Sequence, residues 1–375
     1  MSDVDLGAEE REAVTRVVDS GWLTLGAEVA AFEAEFAMFC GAEGAVAVSS
    51  GTAALHLACV ALDVGPGDEV IVPSLTFVAT ANAVALAGGR PVFGDSIGVQ
   101  DFSLHPADVE RRITSATRGI ICVHYAGYPC QMDSLLDLCD QHGLFLIEDV
   151  AHAPGATWEG SHLGTIGDVG CFSFFGNKNM TTGEGGMTLA RDPDVLQRIR
   201  LLRSHSMTSL SWDRYRGHAT DYDVVSLGYN YRPSELTAAL GRPQLAKLEA
   251  NNARRAALVQ SYRTGLRETP HVEVPYLGRD GAAHLSVLLV DACDQRDPLR
   301  RALATVGIQT SLHYPPAHLF AHYRTAYGYR PGDLPVVEDL AQRVVTLPLY
   351  PSMTAQQVDT VCGKVKSFVE RAPTR

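Results

Sequence analysis

Over residues 45–150 the chain alternates short β-branched runs with longer amphipathic stretches. Strands are predicted at 46–49, 69–73, 91–94, 119–123 and 144–148, with helices at 51–62, 79–87 and 132–142. The strands are almost continuously apolar, which is typical of a parallel sheet covered on both faces. Glycine and proline fall between the elements, as in Gly65-Pro66-Gly67-Asp68. The pattern therefore predicts an α/β fold with a mainly parallel sheet.

The second half of the chain predicts a continuation of this unit and then a smaller one. A strand at 187–190 and a helix at 193–202 are followed by an irregular polar stretch and a long helix from 234 to about 266. Strands at 285–290 and 308–313 and helices at 298–306, 336–345 and 354–369 come next. We predict a large α/β domain over residues 1–265 and a small C-terminal α+β domain over residues 266–375.

The charge balance excludes some functions. A net charge of −12 argues against nucleic acid or an anionic membrane as the main partner, since both require a basic surface. The 375 residues contain no continuous apolar stretch long enough for a transmembrane helix and no signal-peptide pattern at the start. The eight cysteines are scattered without CxxC spacing, which indicates reduced core thiols in a cytoplasmic protein and no metal site.

Ser49-Ser50-Gly51-Thr52 lies between a predicted strand and a predicted helix. Small residues there leave backbone N–H groups and hydroxyls free at a helix N-terminus, which favours phosphate binding. The same residues suit a plain strand-to-helix turn with a serine or threonine cap. The pattern alone leaves both interpretations open.

Asp149 follows directly on a buried strand, at the end where α/β sheets bind ligands. A carboxylate there is desolvated at a free-energy cost unless it is paired, and the protonated ring nitrogen of a cofactor is one suitable partner. An aspartate that caps the next turn is the alternative.

Lys178 lies among apolar, small and hydroxyl-bearing residues, and Gly183, Gly185 and Gly186 follow it. A lone lysine is ordinarily a solvated surface charge, but this setting is not typical of a solvated face. Burial would lower the pKa of the amine and make it nucleophilic.

Asn230 and Arg232 lie in a fourth segment, Gly228-Tyr229-Asn230-Tyr231-Arg232-Pro233, a polar loop ahead of a helix. Both side chains suit contacts with phosphate or carboxylate. The alternative is an ordinary loop that ends in a proline at the start of a helix.

Together these segments resemble the sugar-nucleotide aminotransferases of the DegT/StrS type, which are fold-type-I pyridoxal-phosphate enzymes. The likeness runs nearly from end to end, and the Lys178 segment with its Gly183-Glu184-Gly185-Gly186 tail is its most specific part. It implies pyridoxal 5'-phosphate as cofactor, with pyridoxamine 5'-phosphate between the half-reactions. It also implies a homodimer with two shared active sites, in which Asn230 and Arg232 reach the site of the neighbouring subunit.

The resemblance further implies roles for individual residues. Lys178 would bind the cofactor covalently and then carry a proton, and Asp149 would pair with the ring nitrogen. His152 departs from the glutamine most common in the group, and its ionisation would make activity pH-sensitive. The remaining implied contacts are with the cofactor (Ser50, Gly51, Thr52, Phe77, Ser173 and Asn230) or the substrate (Arg232, His313 and Tyr314).

The implied activity is a ping-pong transfer of an amino group from L-glutamate or glutamine to a nucleotide-linked keto-(deoxy)sugar. The Phe174-Phe175-Gly176-Asn177-Lys178 segment resembles the perosamine-synthase branch, which favours C4 of the sugar. A keto-cyclitol or an aromatic precursor is an alternative acceptor. A non-catalytic regulator that binds the cofactor or a nucleotide sugar is a further alternative. Related dehydratases carry histidine where this chain has Lys178.

Two polar regions allow more than one interpretation. His313, His318 and His322 supply enough imidazoles to suggest a metal, but no cysteine or carboxylate stands at ligand spacing, so a substrate-pocket wall is favoured. The stretch 204–222, which includes Trp212, Arg214, Arg216 and His218, is either a solvated loop or a contact for the nucleotide diphosphate.

Overall fold

The structure, a computed structural model, describes residues 4–209, 217 and 220–370. Its central sheet has seven strands: β1 (Val46–Val48), β2 (Glu69–Pro73), β3 (Arg90–Gly94), β6 (Thr117–Val123), β7 (Phe145–Asp149), β10 (Val169–Ser173) and β11 (Gly186–Ala190). Two small ribbons flank the sheet: β4 (Ser96–Gly98) with β5 (Asp101–Leu104), and β8 (Thr157–Trp158) with β9 (Ser161–His162).

The order of the central sheet is β1-β11-β10-β7-β6-β2-β3. Strand β11 runs antiparallel to both of its neighbours, and the other neighbouring strands are parallel. The predicted α/β class with a mainly parallel sheet is confirmed.

Helices surround the sheets. In the large unit they are α1 (Ala8–Ser20), α2 (Ala27–Cys40), α3 (Gly51–Ala61), α4 (Ala79–Leu86), α5 (Pro106–Arg112), α6 (Met132–His142), α7 (Pro193–Leu202) and the 32-residue α8 (Glu235–Leu266). Those that follow are α9 (Arg296–Thr305), α10 (Ala321–Tyr327), α11 (Pro335–Arg343) and α12 (Ala355–Val369). None of the helices in the described ranges has the length and apolar character needed to cross a membrane.

The strands of the central sheet have nearly continuous apolar runs because both faces of the sheet are covered. Ile121 and Ile147 pack into the cluster that contains α3 and α4, whereas their neighbours Ile120 and Leu146 pack against α6. Successive side chains of a strand point to opposite faces, so two buried faces require an uninterrupted apolar run. This explains why the sequence pattern revealed these strands so clearly.

A second sheet lies in the C-terminal part, with the order β12-β13-β14 (Val272–Glu273, Ser286–Val290 and Val344–Leu347). Its core includes side chains from the last turns of α8, among them Leu258, Tyr262 and Leu266. The division into a large domain over residues 1–265 and a small domain over residues 266–375 stays a prediction.

Two C-terminal elements differ from prediction. Residues 308–313 form no strand; only Ser311 bridges to Thr346, and Pro315 and Pro316 follow soon after. The helix expected over 336–345 ends at Arg343, and Val344 begins strand β14. Pairing with β13 buries the β-branched Val344 and Val345, so tertiary packing decides their conformation.

Glu235 joins the start of α8 to the start of α2. Its buried carboxylate accepts hydrogen bonds from the backbone N–H groups of Gly26 and Glu28, both at 2.8 Å, and of Val29 at 3.0 Å. The first N–H groups of a helix have no partner within the helix, and a carboxylate there is also favoured by the helix dipole. One side chain thus caps a helix more than 200 residues away in sequence.

We predict that Glu235→Ala lowers the free energy of unfolding by about 2 to 4 kcal/mol, because it leaves buried N–H groups without acceptors. Urea unfolding followed by circular dichroism, at a fixed subunit concentration, measures the change. Glu249→Ala, at an exposed position of the same helix, is the matched control. Equal unfolding midpoints for the two variants would contradict the capping role.

Candidate functional site

A cavity of about 440 Å³ opens where β6, β7 and β10 end. Among its lining residues are ten of the twelve predicted site residues: Ser50, Gly51, Thr52, Phe77, Asp149, His152, Ser173, Lys178, His313 and Tyr314. These residues come from widely separated parts of the sequence. The topology of the sheet brings them together, because the carboxyl ends of parallel strands meet at one edge.

Asp149 lies at the centre of this edge. It ends β7, and the register places Val123 of β6 and Cys171 of β10 beside it. Its carboxylate accepts a hydrogen bond from the Thr80 hydroxyl at 2.9 Å and one from the Ala151 N–H at 3.1 Å. Burial raises the pKa of Asp149, while these two hydrogen bonds and the charge of Lys178 act in the opposite direction.

The N-terminus of α3 forms a second part of the site. Ser50 caps the helix, its hydroxyl accepting from the Ala53 N–H at 3.1 Å. A Cβ added at Gly51 would lie 2.7 Å from the Cβ of Ser173, so a residue with a side chain would collide with the neighbouring strand. Because Gly51 has no side chain, a ligand can approach the backbone N–H groups at the start of α3 closely. The hydroxyls of Thr52 and Ser173 lie nearby.

Lys178 is held on a tight loop between β10 and β11. Its N–H donates to the Phe175 carbonyl at 2.9 Å, and the Thr182 N–H donates to the Phe174 carbonyl at 2.9 Å. The hydroxyl of Thr181 donates to the Phe174 carbonyl at 3.2 Å. These bonds fix the loop, so the lysine enters the cavity from a constrained backbone.

The electrostatics of Lys178 follow from its position. Burial lowers the pKa of its amine to about 8, against the opposing charge of Asp149. A substantial fraction of the amine is therefore neutral near physiological pH, as a nucleophile requires. The predicted buried, reactive lysine is consistent with this geometry.

Aromatic side chains form a further part of the cavity wall. Phe77 leaves 58% of its surface exposed although it lines the cavity, and its ring centroid lies 6.2 Å from that of Tyr314. An exposed aromatic face inside a cavity is suited to stacking on a flat ligand ring. His313 and Tyr314 belong to the same wall, as the predicted substrate pocket requires.

Two predicted residues do not line this cavity. Asn230 is exposed and Arg232 is partly buried, and the Arg232 guanidinium donates weakly to the Ser204 hydroxyl at 3.5 Å. The resemblance assigned both to the neighbouring subunit's site, and their place outside this chain's own cavity is consistent with that expectation. Trp212, Arg214, Arg216 and His218, the candidates for nucleotide contact, lie outside the described residues.

Several residues of the site were not identified from the sequence. Thr80, on α4, donates to Asp149, and Asn179 and His284 lie behind His152. Thr80 follows Thr76 by four residues, and their hydroxyls are 3.0 Å apart. Because Thr76 precedes α4, helical periodicity did not mark this pair. His284 had no signal in the sequence, because it comes from the C-terminal part of the chain.

Other polar clusters have structural explanations. Cys122, His124 and Cys130 offer atoms within 4.8 Å of one another. Both ring nitrogens of His124 are already engaged, by Glu148 at 3.1 Å and by the Cys130 N–H at 3.2 Å. The cluster is thus held together by its own hydrogen bonds.

Outside that cluster, His318 bonds Ser74 and Glu338. All eight cysteines lie within the described ranges and are free thiols, and only Cys293 is exposed.

The residues at the cavity fit pyridoxal phosphate. Asp149 forms no ion pair within the described residues, and burial of its carboxylate is stabilised by a cationic ring nitrogen. The N-terminus of α3 with Ser173 accommodates a phosphate, and Lys178 supplies an amine with a lowered pKa. Phe77 supplies a stacking face.

Comparisons with known proteins agree with this geometry. Residues 4–366 match the DegT/DnrJ/EryC1/StrS aminotransferase family. The chain is 41% identical to the spore coat polysaccharide biosynthesis protein SpsC of Bacillus subtilis, over 98% of this chain and 96% of that protein.

Solved structures give the same result. DesV of S. venezuelae is 38% identical and superposes with a TM-score of 0.90, over 98% of this chain and 95% of that one. The PLP form of the putative sugar aminotransferase Spr1654 of Streptococcus pneumoniae is 28% identical with a TM-score of 0.92, over 100% and 99% of the two chains. With the cavity, the lysine and the whole-length match in agreement, the chain belongs to the DegT/DnrJ/EryC1/StrS aminotransferase family and is a pyridoxal-phosphate-dependent aminotransferase.

Proposed function

We propose that the enzyme transfers an amino group from L-glutamate or L-glutamine to C4 of a nucleotide-linked 4-keto-6-deoxy sugar. The observation that carries this proposal is the convergence of Lys178, Asp149 and the α3 N-terminus on one cavity. Spr1654 is described as a putative sugar aminotransferase, and PseC of Helicobacter pylori as an aminotransferase of pseudoaminic acid biosynthesis. The Phe174-Phe175-Gly176-Asn177-Lys178 segment favours C4.

Lys178 has two tasks in the proposed reaction. Its neutral amine would hold the cofactor, and once an amino-acid donor has taken its place, the same amine would be free in the cavity to move a proton at the reacting carbon. A lowered pKa suits both tasks, because the amine must accept and release a proton near neutral pH. The fixed loop keeps the amine within reach of that carbon.

Asp149 keeps its partner nitrogen protonated. The cofactor, when bound, supplies an electron sink for the carbanion chemistry. A carboxylate with two hydrogen bonds from Thr80 and Ala151 has a fixed orientation, so its charge is directed at one point of the cavity.

The free thiols at all eight cysteines support a cytoplasmic location for the enzyme.

The proposed active unit is a homodimer. Asn230 and Arg232 lie outside their own chain's cavity, on a segment with exposed apolar side chains such as Val225 and Leu227. Exposed apolar surface of this kind favours burial against another chain. We place both polar side chains in the partner's site, where they contact phosphate or substrate.

An acceptor screen tests the reaction. With L-glutamate as donor, we expect a nucleotide-linked 4-keto-6-deoxyhexose to be aminated, and nuclear magnetic resonance of the product to place the amine on C4. A 3-keto isomer and a keto-inositol serve as the competing acceptors. Amination of the keto-inositol alone, or an amine at C3, would contradict the proposed specificity.

The pH dependence of cofactor capture tests Lys178. Only the unprotonated amine reacts, so below a pKa of about 8 the capture rate should rise about tenfold per pH unit and then level off. Borohydride trapping and mass spectrometry of cofactor-free protein measure the rate. Lys178→Ala should give no adduct at any pH, whereas Lys364→Ala, at an exposed lysine, should match the wild type. A midpoint near an ordinary lysine pKa of about 10.4 would be evidence against a buried reactive amine.

Mixed dimers test the sharing of active sites. Lys178→Ala and Asn230→Ala homodimers should each be nearly inactive. A dimer with one chain of each, isolated through two different affinity tags, should regain up to half of wild-type activity, because one of its two sites combines an intact Lys178 with the partner's intact Asn230. Mixed dimers without activity would show that Asn230 acts in its own chain's site, and an active Asn230→Ala homodimer would show that it has no role.

A further inference from the structure

The hydroxyl of Tyr314 in the cavity wall has one hydrogen-bond partner among the described residues. That partner is Nε2 of His152, at 2.9 Å. A phenol hydroxyl both donates one hydrogen bond and accepts others, so the direction of this bond decides what Tyr314 offers to the cavity. The direction depends on which ring nitrogen of His152 carries the proton.

A backbone group settles the protonation of His152. The N–H of Ala126 points at Nδ1 of His152, at 3.4 Å. Because an N–H only donates, Nδ1 must be the acceptor, and the proton of the neutral ring lies on Nε2. Burial and the nearby charge of Lys178 lower the pKa of His152, so the ring stays neutral. Nε2–H therefore donates to the Tyr314 oxygen.

The Ala126 N–H cannot turn away. The Ala126 carbonyl accepts from the N–H groups of His284 at 2.8 Å and of Leu285 at 3.3 Å. Gly127 has a φ of +100°, and a Cβ there would lie 3.0 Å from the His152 carbonyl. These contacts fix the turn on both sides. Because a backbone N–H does not titrate, Ala126 stays a donor to His152.

A second buried ring, that of His284, packs against His152. The ring of His284 lies 4.4 Å from that of His152, and its Nδ1 pairs with the Asn179 side-chain oxygen at 2.8 Å. The Asn179 amide nitrogen donates to Asn252 at 2.8 Å and to the Ala282 carbonyl at 2.7 Å, so the oxygen faces His284. His284 consequently donates from Nδ1, and this buried network fixes both rings.

We propose that the Tyr314 hydroxyl is a fixed hydrogen-bond donor into the cavity and recognises a carbonyl or carboxylate oxygen of a substrate. Its oxygen already accepts from His152, so its own proton points to the ligand. The inference rests on the proposed function of the cavity as the substrate site. Such an oxygen exists both on the carboxylate of an amino-acid donor and on the keto-sugar.

Burial also raises the pKa of Tyr314 well above the ordinary value of a phenol, so the hydroxyl keeps its proton at working pH. Ala126, His152 and His284 are then positioning groups that act through Tyr314. Because the proton of the hydroxyl is directed at the ligand, the hydroxyl favours acceptor oxygens over N–H donors at that position.

The test compares the Tyr314→Phe holoenzyme with wild type in each half-reaction. The first arm uses L-glutamate alone, followed by the cofactor absorbance, and the second uses the keto-sugar with the aminated enzyme form. A third arm measures the dissociation constant of glutarate, an unreactive dicarboxylate, from its effect on the cofactor spectrum. Tyr323→Phe, which removes a hydroxyl that donates to Asn82 away from the cavity, is the matched control.

We expect Tyr314→Phe to raise KM about tenfold to hundredfold in one arm with a smaller change in kcat, as loss of a hydrogen bond to a charged or polarised oxygen predicts. A change in the glutamate and glutarate arms assigns the oxygen to the donor's carboxylate, and a change in the sugar arm alone assigns it to the sugar. Values equal to those of Tyr323→Phe in all three arms would overturn the proposal. A wild-type enzyme that rejects every keto-sugar would instead contradict the proposed function, and the glutamate and glutarate arms would still be readable.

Neutron diffraction of crystals grown in deuterated water gives an independent measurement. We expect deuterium on Nε2 of His152, none on Nδ1, and the Tyr314 deuteron directed into the cavity. A deuteron on Nδ1, or a Tyr314 deuteron directed at His152, would overturn the inference whatever the kinetics show.

Discussion

The site depends on one constraint: a carboxylate, that of Asp149, must remain buried at the end of the central strand. Its neighbours Val123 and Cys171 are apolar, and only Thr80 and Ala151 donate hydrogen bonds to it within the described residues. Desolvation favours the protonated acid, so the charged form requires a cation in the cavity. A protonated ring nitrogen is such a cation. The same ion pair would therefore bind the cofactor and stabilise the buried carboxylate.

The rest of the cavity is arranged around neutral groups. Burial lowers the pKa values of Lys178, His152 and His313, and it raises that of Tyr314. The two imidazoles and the phenol are therefore held in the form that carries no charge near neutral pH, whereas the Lys178 amine, with a pKa of about 8, is only partly neutral there. Neutral imidazoles have one donor and one acceptor, so their hydrogen bonds have a direction, and a network of them orients a ligand more strictly than a set of mobile charges.

The network extends well beyond the cavity. It connects the large sheet to the C-terminal part of the chain through Asn252 on α8, Asn179 on the loop between β10 and β11, and His284 beside β13. The same loop carries Lys178, so the backbone that positions the amine also fixes the rings across from it. Asn230 and Arg232 stay outside this arrangement, which is the physical reason to look for their role in a second subunit.

The sequence by itself determined the parts that depend on local chemistry. Apolar runs revealed the parallel strands because both faces of the sheet are buried, and glycines beside Lys178 marked a constrained loop. It did not reveal Thr80, His284 or the clamped turn at Ala126, and it assigned a helix to Val344 and Val345. These features depend on contacts between residues far apart in the chain, such as the pairing of β13 with β14 and the ring contact between His284 and His152. The direction of the Tyr314 hydrogen bond was likewise decided only by the tertiary structure, because it depends on a backbone N–H that folding brings to the edge of a ring.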